Sequence, residues 1–535
     1  MQNLVTREWC RAESFDRLTE GVGGPPLDLV VIGGGATGLG VAVDAAARGF
    51  SVALFEAEDF AKGTSSRATK LVHGGVRYLA LGDVSLVREA LRERLLLLQN
   101  APHLAGPLPF VLPVYGWRGQ LWQKWFYAVG LHAYGLLAGA SSLGPTRTLG
   151  KKAMLAAAPG LQASGLAGGV TYYDGQFDDA RLAVALARSA VAAGATVLNA
   201  CRVKGLLETA GRVTGVVVED HETGRTLDVA ARCVVNATGV WVDAVRRIDD
   251  PSAADIVAPS QGTHVVVDRE FFPSDHALII PKTSDGRVLF AVPWMGRVIL
   301  GTTDTPRTDL PLDPKPTADD VDFILAEASR YLARPPNRSD VRSAWAGLRP
   351  LVKPPHDNGT DTKRISREHT ILVSARGLVT VTGGKWTTYR AMAEDVLDAC
   401  FRTGLLVARP AGVTRHLRLV GAPAPGTPCP PLSAPPGLHL YGSDADTVAS
   451  LPGAHNEILP GFTEAMVRFA ARYEMARTVE DVLARRSRWL FLDAATAAAA
   501  AEPVAAILAE ELGPSFDAAA SAAEFRLLAA SYLSF

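Results

Sequence analysis

Cysteine is scarce: the 535 residues hold five, Cys10, Cys201, Cys233, Cys400 and Cys429, with no paired spacing. Such a set supplies neither a zinc site nor a redox dithiol, and it fits a reducing compartment better than a disulfide scaffold. An excess of charge of one sign is also lacking, since 54 basic and 55 acidic residues leave a formal net charge of -1. Nucleic acid is thereby excluded as a bulk electrostatic partner. No stretch offers the roughly 18 uninterrupted apolar residues of a spanning helix, and the start "MQNLVTREWC" lacks the apolar core of a signal peptide. The expectation is a cytoplasmic protein, at most peripheral on the inner face of the cell membrane, with no metal site.

Glycine, by contrast, is plentiful: 50 residues, in a chain with 48% apolar and 20% charged residues. This describes a turn-rich globular protein, and its length predicts two or three domains or subdomains.

The most informative stretch is "LDLVVIGGGATGLGVAVDAAARGFSVALFEAE". Leu29 to Ile32 form a continuous apolar run, as in a parallel strand covered on both faces. Gly33, Gly35 and Gly38 then spell G-x-G-x-x-G before an alanine-rich helix. Gly33 permits the tight turn, Gly35 lets backbone N–H groups approach a pyrophosphate, and Gly38 lets helix pack on strand. Ala36 and Thr37 open that helix, whose positive end faces the phosphates. A second strand, "SVALFE", ends in Glu56, a carboxylate placed to accept hydrogen bonds from both hydroxyls of an adenosine ribose. A 2′-phosphate would be repelled there, which disfavours NADP and leaves FAD or NAD.

The run "AEDFAKGTSSRATKLVHGGVRYL" is crowded with small, hydroxylic and basic residues, suited to wrapping an anionic cofactor. Thr64, Ser65 and Ser66 bring donors to the pyrophosphate, while His73, Gly74 and Gly75 allow backbone to approach a flat ring. Lys70 and Leu71 belong to the same wrapping segment. A second strand, turn and helix lies at "ARCVVNATGVWVDAV", with Ala237, Thr238 and Gly239 in the turn. Before it, Val203 stands on a strand that feeds a meander with turn residues at His221 to Gly224. An insertion of this kind suits flavoproteins better than nicotinamide dehydrogenases.

Between about 255 and 345 the text alternates as antiparallel strands, "GTHVVVD", "HALIIP", "RVLFAVPW" and "RVILGTTD", a natural wall for a substrate pocket. Late in the chain "VTGGKWTTYR" follows an apolar strand and precedes a helix.

Taken in order, "VIGGGATGLG", "GTSSRATKLVHGGVRYL", "VVNATGVWVD", "GLRPLV" and "VTGGKWTTYR" resemble the FAD-dependent, quinone-linked glycerol-3-phosphate dehydrogenases of the D-amino-acid-oxidase-type flavoproteins. The resemblance runs over nearly the whole chain, including the C-terminal "RYEMARTVEDVLARRSRWLFLD". It implies an α/β plus α architecture: a glutathione-reductase-like Rossmann FAD-binding domain, an interleaved antiparallel-sheet substrate subdomain and a helical C-terminal domain. The expected division is residues 1–408 for the FAD-binding domain, with the substrate subdomain at about 105–165 and 245–345. A Pro/Gly-rich linker at 409–438 and helices over 439–535 follow.

The implied reaction is oxidation of sn-glycerol 3-phosphate to dihydroxyacetone phosphate, with the C2 hydride passing to N5 of non-covalently bound FAD and the electrons on to quinone. An isolated strand-end histidine usually bonds backbone; the resemblance makes His264 the base that takes the C2 hydroxyl proton. Arg349, between Leu348 and Pro350, has a guanidinium that can grip two phosphate oxygens at once. Arg77, with Tyr78 beside it, is a second candidate for the phosphate end, or else braces the cofactor. In the late motif Gly383 and Gly384 bring backbone beside the flavin, and Lys385 reaches substrate or flavin edge. Trp386, Thr387 and Thr388 lead into the helix, the two threonines as its caps and Thr388 also toward substrate. Trp386 is a departure, since the family usually has a small apolar residue there.

Arg485, Arg486 and Arg488 read as a solvated helix face. The segment 120–139 repeats Trp122, Trp125, Phe126 and Val129 at helical spacing, either an interfacial anchor or a helix packed on the flavin domain. Two other activities share these motifs: an oxygen-using oxidase of the same substrate, and a D-amino-acid-type oxidase with Arg349 on a carboxylate. A non-catalytic FAD-binding, membrane-docking protein is a third reading, and the oligomeric state stays between monomer and homodimer.

Overall fold

The computed structural model describes residues 8–20, 23–75, 84–116, 121–353 and 369–535, with side chains throughout except at 121–128. The opening strand Leu27–Ile32 is flanked in parallel by Val52–Phe55 and Thr226–Asn236, with Leu29 paired to Val52 on one side and to Cys233 on the other. Leu29 to Ile32 and Val52 to Phe55 are buried and apolar without alternation, as in a sheet covered on both faces. The late strand Leu378–Gly383 joins this sheet in parallel beside Thr226–Asn236 and puts its terminal glycines at the same edge as the first glycine-rich turn. The meander of Cys201–Thr209, Arg212–Asp220 and Thr226–Asn236 forms as its period-2 alternation predicts.

A second sheet, of ten strands among the described residues, holds the substrate wall. Its long strand Val257–Asp268 lies between Arg297–Gly301 and Val341–Val352, both antiparallel to it. It also takes in the pair Ala105–Tyr115 and Leu166–Phe177, registered from Ala105 opposite Phe177 to Tyr115 opposite Leu166. The sheet therefore runs past the expected limits of about 165 and 345, because the partners of Leu166–Phe177 and of Val341–Val352 are distant in sequence and leave no local mark.

Residues 409–438 are not a free linker. Leu419, Val420 and Leu432 are buried, the Thr414 hydroxyl donates to Asp44 at 2.8 Å, and Met295 N–H donates to the Leu432 carbonyl at 2.7 Å. The proline-rich text is a strap packed on the body of the protein, its Leu419 N–H donating to the Asn100 carbonyl at 3.0 Å and its Val420 N–H to the Ser189 hydroxyl at 2.9 Å.

The C-terminal helices, among them Glu464–Tyr473, Ala501–Leu512 and Ala518–Ser531, share one apolar core with Trp294 and Trp345 of the second sheet. Arg485, Arg486 and Arg488 are buried in this junction and not solvated. Arg485 and Arg486 both donate to Asp59, and Arg488 donates to Asp179 at 3.0 Å. Each cation is held by a carboxylate from the FAD-binding part of the chain, which is what makes its burial tolerable.

Helix Leu121–Ala138 exists as its spacing predicts, with Val129 67% and Leu136 82% exposed. The side chains of Trp122, Trp125 and Phe126 lie outside the described residues. Among the described residues no helix is long and apolar enough to cross a membrane.

Candidate active site

The edges of the two sheets meet around a cleft of about 590 Å³. From the expected cofactor residues it is lined by Gly33, Gly35, Ala36, Thr37, Glu56, Thr64, Ser65, Leu71, His73, Val203, Ala237, Thr238, Gly239, Gly383, Gly384, Lys385, Trp386 and Thr387. His264 and Arg349 line it from the other sheet.

The glycine turn is built for close approach. Gly33 has φ +108°, and a Cβ there would lie 2.8 Å from the Ala237 carbonyl oxygen, so the two turns of the sheet edge touch. A Cβ on Gly38 would run into the Gly33 carbonyl oxygen, which is why helix Ala36–Ala47 can start directly over the turn. Glu56 accepts the N–H groups of Gly34 at 2.6 Å and Glu58 at 2.9 Å, while burial pushes its carboxyl above the ordinary range. A bare-backbone cradle under a helix N-terminus, a carboxylate one strand over and a long cleft between them fit FAD. Gly33 and Gly35 would hold its pyrophosphate and Glu56 its ribose.

Not every expected residue faces the cleft. Ser66 is buried and spends its carbonyl on Lys70 and Arg488. Lys70 is turned away from the cofactor side: its ammonium bonds Asp179 at 2.7 and 2.9 Å, because a buried lysine needs a carboxylate more than a distant phosphate. Gly74 donates to the Tyr134 hydroxyl at 2.9 Å, and its missing side chain makes room for Tyr134 and Leu91. Gly75 has φ +76° and does not line the cleft. Thr388 stands at the N-cap of helix Tyr389–Arg402 without capping it; its hydroxyl donates to the Lys385 carbonyl at 3.4 Å, and Thr387 is buried. Arg77 and Tyr78 lie outside the described residues.

Trp386 has a defined place. Its indole N–H donates to the Ser65 carbonyl at 2.9 Å and its ring meets Phe177 and Tyr389 edge-on, so the late motif is clamped to the first wrapping loop.

On the wall, His264 pairs across the strands with Trp345, and the rings stack at 4.2 Å between centroids. Its Nε2 meets the Thr69 hydroxyl at 2.9 Å, and its Nδ1 has no hydrogen-bond partner among the described residues. Burial first, then the charges of Arg349 and Lys70, hold the imidazole well below its usual pKa, so it is neutral and able to accept a proton. Arg349 is fixed by Asp304 at 3.1 Å, the Thr302 hydroxyl at 3.2 Å and the Thr303 carbonyl at 3.0 Å. Thr69 and Asp304 were not singled out in the sequence. Thr69 belongs to the wrapping segment, whereas nothing local in the sequence marks Asp304 as the partner of Arg349.

The chain is similar in sequence and in fold to known proteins. Residues 28–390 match the FAD dependent oxidoreductase family, and residues 413–519 match the C-terminal domain of alpha-glycerophosphate oxidase. The human mitochondrial glycerol-3-phosphate dehydrogenase is 42% identical over 91% of this chain and 70% of its own length. The mitochondrial glycerol-3-phosphate dehydrogenase of Arabidopsis thaliana is 41% identical over 91% of this chain and 83% of its own. Among solved structures, the FAD complex of the glycerol-3-phosphate dehydrogenase of Bacillus halodurans aligns with a TM-score of 0.76 at 31% identity, covering 98% of both chains.

Proposed function

The chain belongs to the FAD dependent oxidoreductase family, and from that premise we propose that it oxidises sn-glycerol 3-phosphate to dihydroxyacetone phosphate. Bound FAD supplies the hydride acceptor; every other task falls to the chain's own residues. His264 takes the C2 hydroxyl proton, and the Thr69 hydroxyl, 2.9 Å from Nε2, orients its ring. Arg349 grips the phosphate end, kept in place by Asp304 and Thr302. Lys385, at the turn that joins cofactor side to substrate side, adds positive charge beside the forming oxyanion.

The observation that carries the proposal is a buried histidine and a braced arginine on the wall that faces the glycine-rich edge of one cleft. Electrons then leave to a quinone, with the protein attached peripherally at the inner face of the cell membrane. Val129 and Leu136 on their exposed helix face are the apolar groups suited to that contact. The test is anaerobic addition of sn-glycerol 3-phosphate to the yellow protein: the flavin should bleach, and a quinone analogue should restore it faster than oxygen does. Arg349→Ala should lower apparent affinity for the substrate by about 100-fold. Wild-type affinity in that variant would remove Arg349 from the phosphate end, and faster reoxidation by oxygen would favour an oxidase.

A further inference from the structure

Behind the wall of the cleft, Lys70 is 0% exposed and surrounded by three aromatic rings. Its ammonium lies 4.8 Å from the ring centre of Trp345, 5.4 Å from Trp294 and 5.3 Å from Phe491. Trp345 is the indole on which His264 stacks at 4.2 Å, so ammonium and imidazole lie within about 9 Å of each other. Thr69, the residue before Lys70, bonds His264 Nε2. Lys70 also holds a left-handed backbone, φ +64°, a conformation that residues other than glycine adopt only where their surroundings enforce it. The enforcing groups are Asp179 and the Ser66 carbonyl, both shared with Arg488 from the C-terminal domain.

We propose that Lys70 is a positioning residue for His264, acting through the indole of Trp345 that both of them contact. The proposal rests on His264 being the proton acceptor. The groups that face the imidazole are the Thr69 hydroxyl, the Arg349 guanidinium and the Trp345 indole backed by Lys70. Those that face Lys70 are Asp179, Asp178 and Arg488. Burial draws the ammonium down to about 7, against the pull of Asp179, so Lys70 carries its charge in the acid range where a histidine would otherwise take up a proton. Like charges at such a separation oppose each other in a medium of intermediate polarity, and His264 is kept ready as a base to lower pH. The arrangement also gives the C-terminal domain a part in the chemistry. Its Phe491 packs edge-on against Trp345 at 5.2 Å, and its Arg488 shares the Asp179 carboxylate with Lys70.

The experiment titrates His264 in the FAD-loaded protein by NMR of labelled imidazole, the resonance being identified by its loss in His264→Asn. No substrate is needed. Lys70→Met should raise the His264 midpoint by about half to one pH unit. The acid limb of flavin reduction by sn-glycerol 3-phosphate should move by the same amount, and Lys70→Arg should restore both. An unmoved titration, or a moved titration with an unmoved acid limb, overturns the proposal. Lys70→Gln, which keeps a donor for Asp179, gives the same reading if the methionine variant does not fold. Loss of the fold in both would make Lys70 a purely structural ion and overturn the proposal as well. Absence of bleaching in the wild-type protein would count against the dehydrogenase reading instead, and the substrate-free titration separates the two failures.

Discussion

Replacing Asp59 by Asn tests how the C-terminal domain is fastened to the cofactor loop. Asp59 is 4% exposed, and it receives the guanidinium groups of Arg485 and Arg486 together with the Asn199 amide at 3.3 Å. The two arginines hold its carboxyl down to about 2 against the cost of burial. In Asp59→Asn, Arg485 keeps Glu480 and Asp481, and Arg486 keeps the Glu474 carbonyl. Arg486 thus loses its only anionic partner among the described residues. Uncompensating a buried cation in this way costs about 3–5 kcal/mol, which is on the order of 10 °C in the melting midpoint of a domain of ordinary size. Asp59 lies just before Ala61, whose N–H donates to the Gly34 carbonyl at 3.0 Å, so FAD affinity should fall by about tenfold as well. Calorimetry with and without added FAD measures both effects. Glu208→Gln is the control: its pair with Arg376 is solvent-exposed on both sides, and the midpoint should move by no more than about 2 °C. If Asp59→Asn melted like the wild type, the arginines would be solvated after all. An acid limb belongs to the same interaction. Because the folded-state value is depressed, its contribution is present above pH 4 or so and is lost as pH falls toward 2.

Three further outcomes are expected. Gly38→Ala puts a methyl group into the Gly33 carbonyl and should weaken FAD binding about 100-fold, read by flavin fluorescence titration; full occupancy at equal protein and FAD would show that the turn does not carry the cofactor. Lys385→Ala should slow anaerobic flavin reduction by about 100-fold, and wild-type reduction would remove Lys385 from the mechanism. His103, buried beside Arg181, Arg188 and Arg418, is lowered to about 3, mainly by burial, so its contribution to stability is full above pH 6.5 and is lost as pH falls below it. Between pH 6.5 and 5 this amounts to about 2 kcal/mol. His103→Asn should flatten the pH dependence of unfolding by that amount, and an unchanged slope would contradict it.

Much of the cleft was legible in the chain before any coordinates. The strand before Gly33, the helix after Gly35 and the acid at Glu56 carry their own local signals: apolar runs, small residues at a turn, a carboxylate one strand later. The late return of Leu378–Gly383 was equally readable, because a buried strand that ends in two glycines has few other uses.

What could not be read locally is where charges go. Arg485, Arg486 and Arg488 have the periodicity of a solvated face, yet they are buried, since their partners Asp59 and Asp179 lie some 300 to 430 residues earlier. Lys70 sits in a cofactor-wrapping motif and points the other way for the same reason. Sequence alone determined the order of elements, the dinucleotide turn and the return of the chain to it, because backbone geometry and apolar burial act over a few neighbouring residues. Only the tertiary structure decided which cations are buried, which carboxylates hold them and which ring stacks on His264, because the free energy of a buried charge depends on a partner brought there by the whole fold.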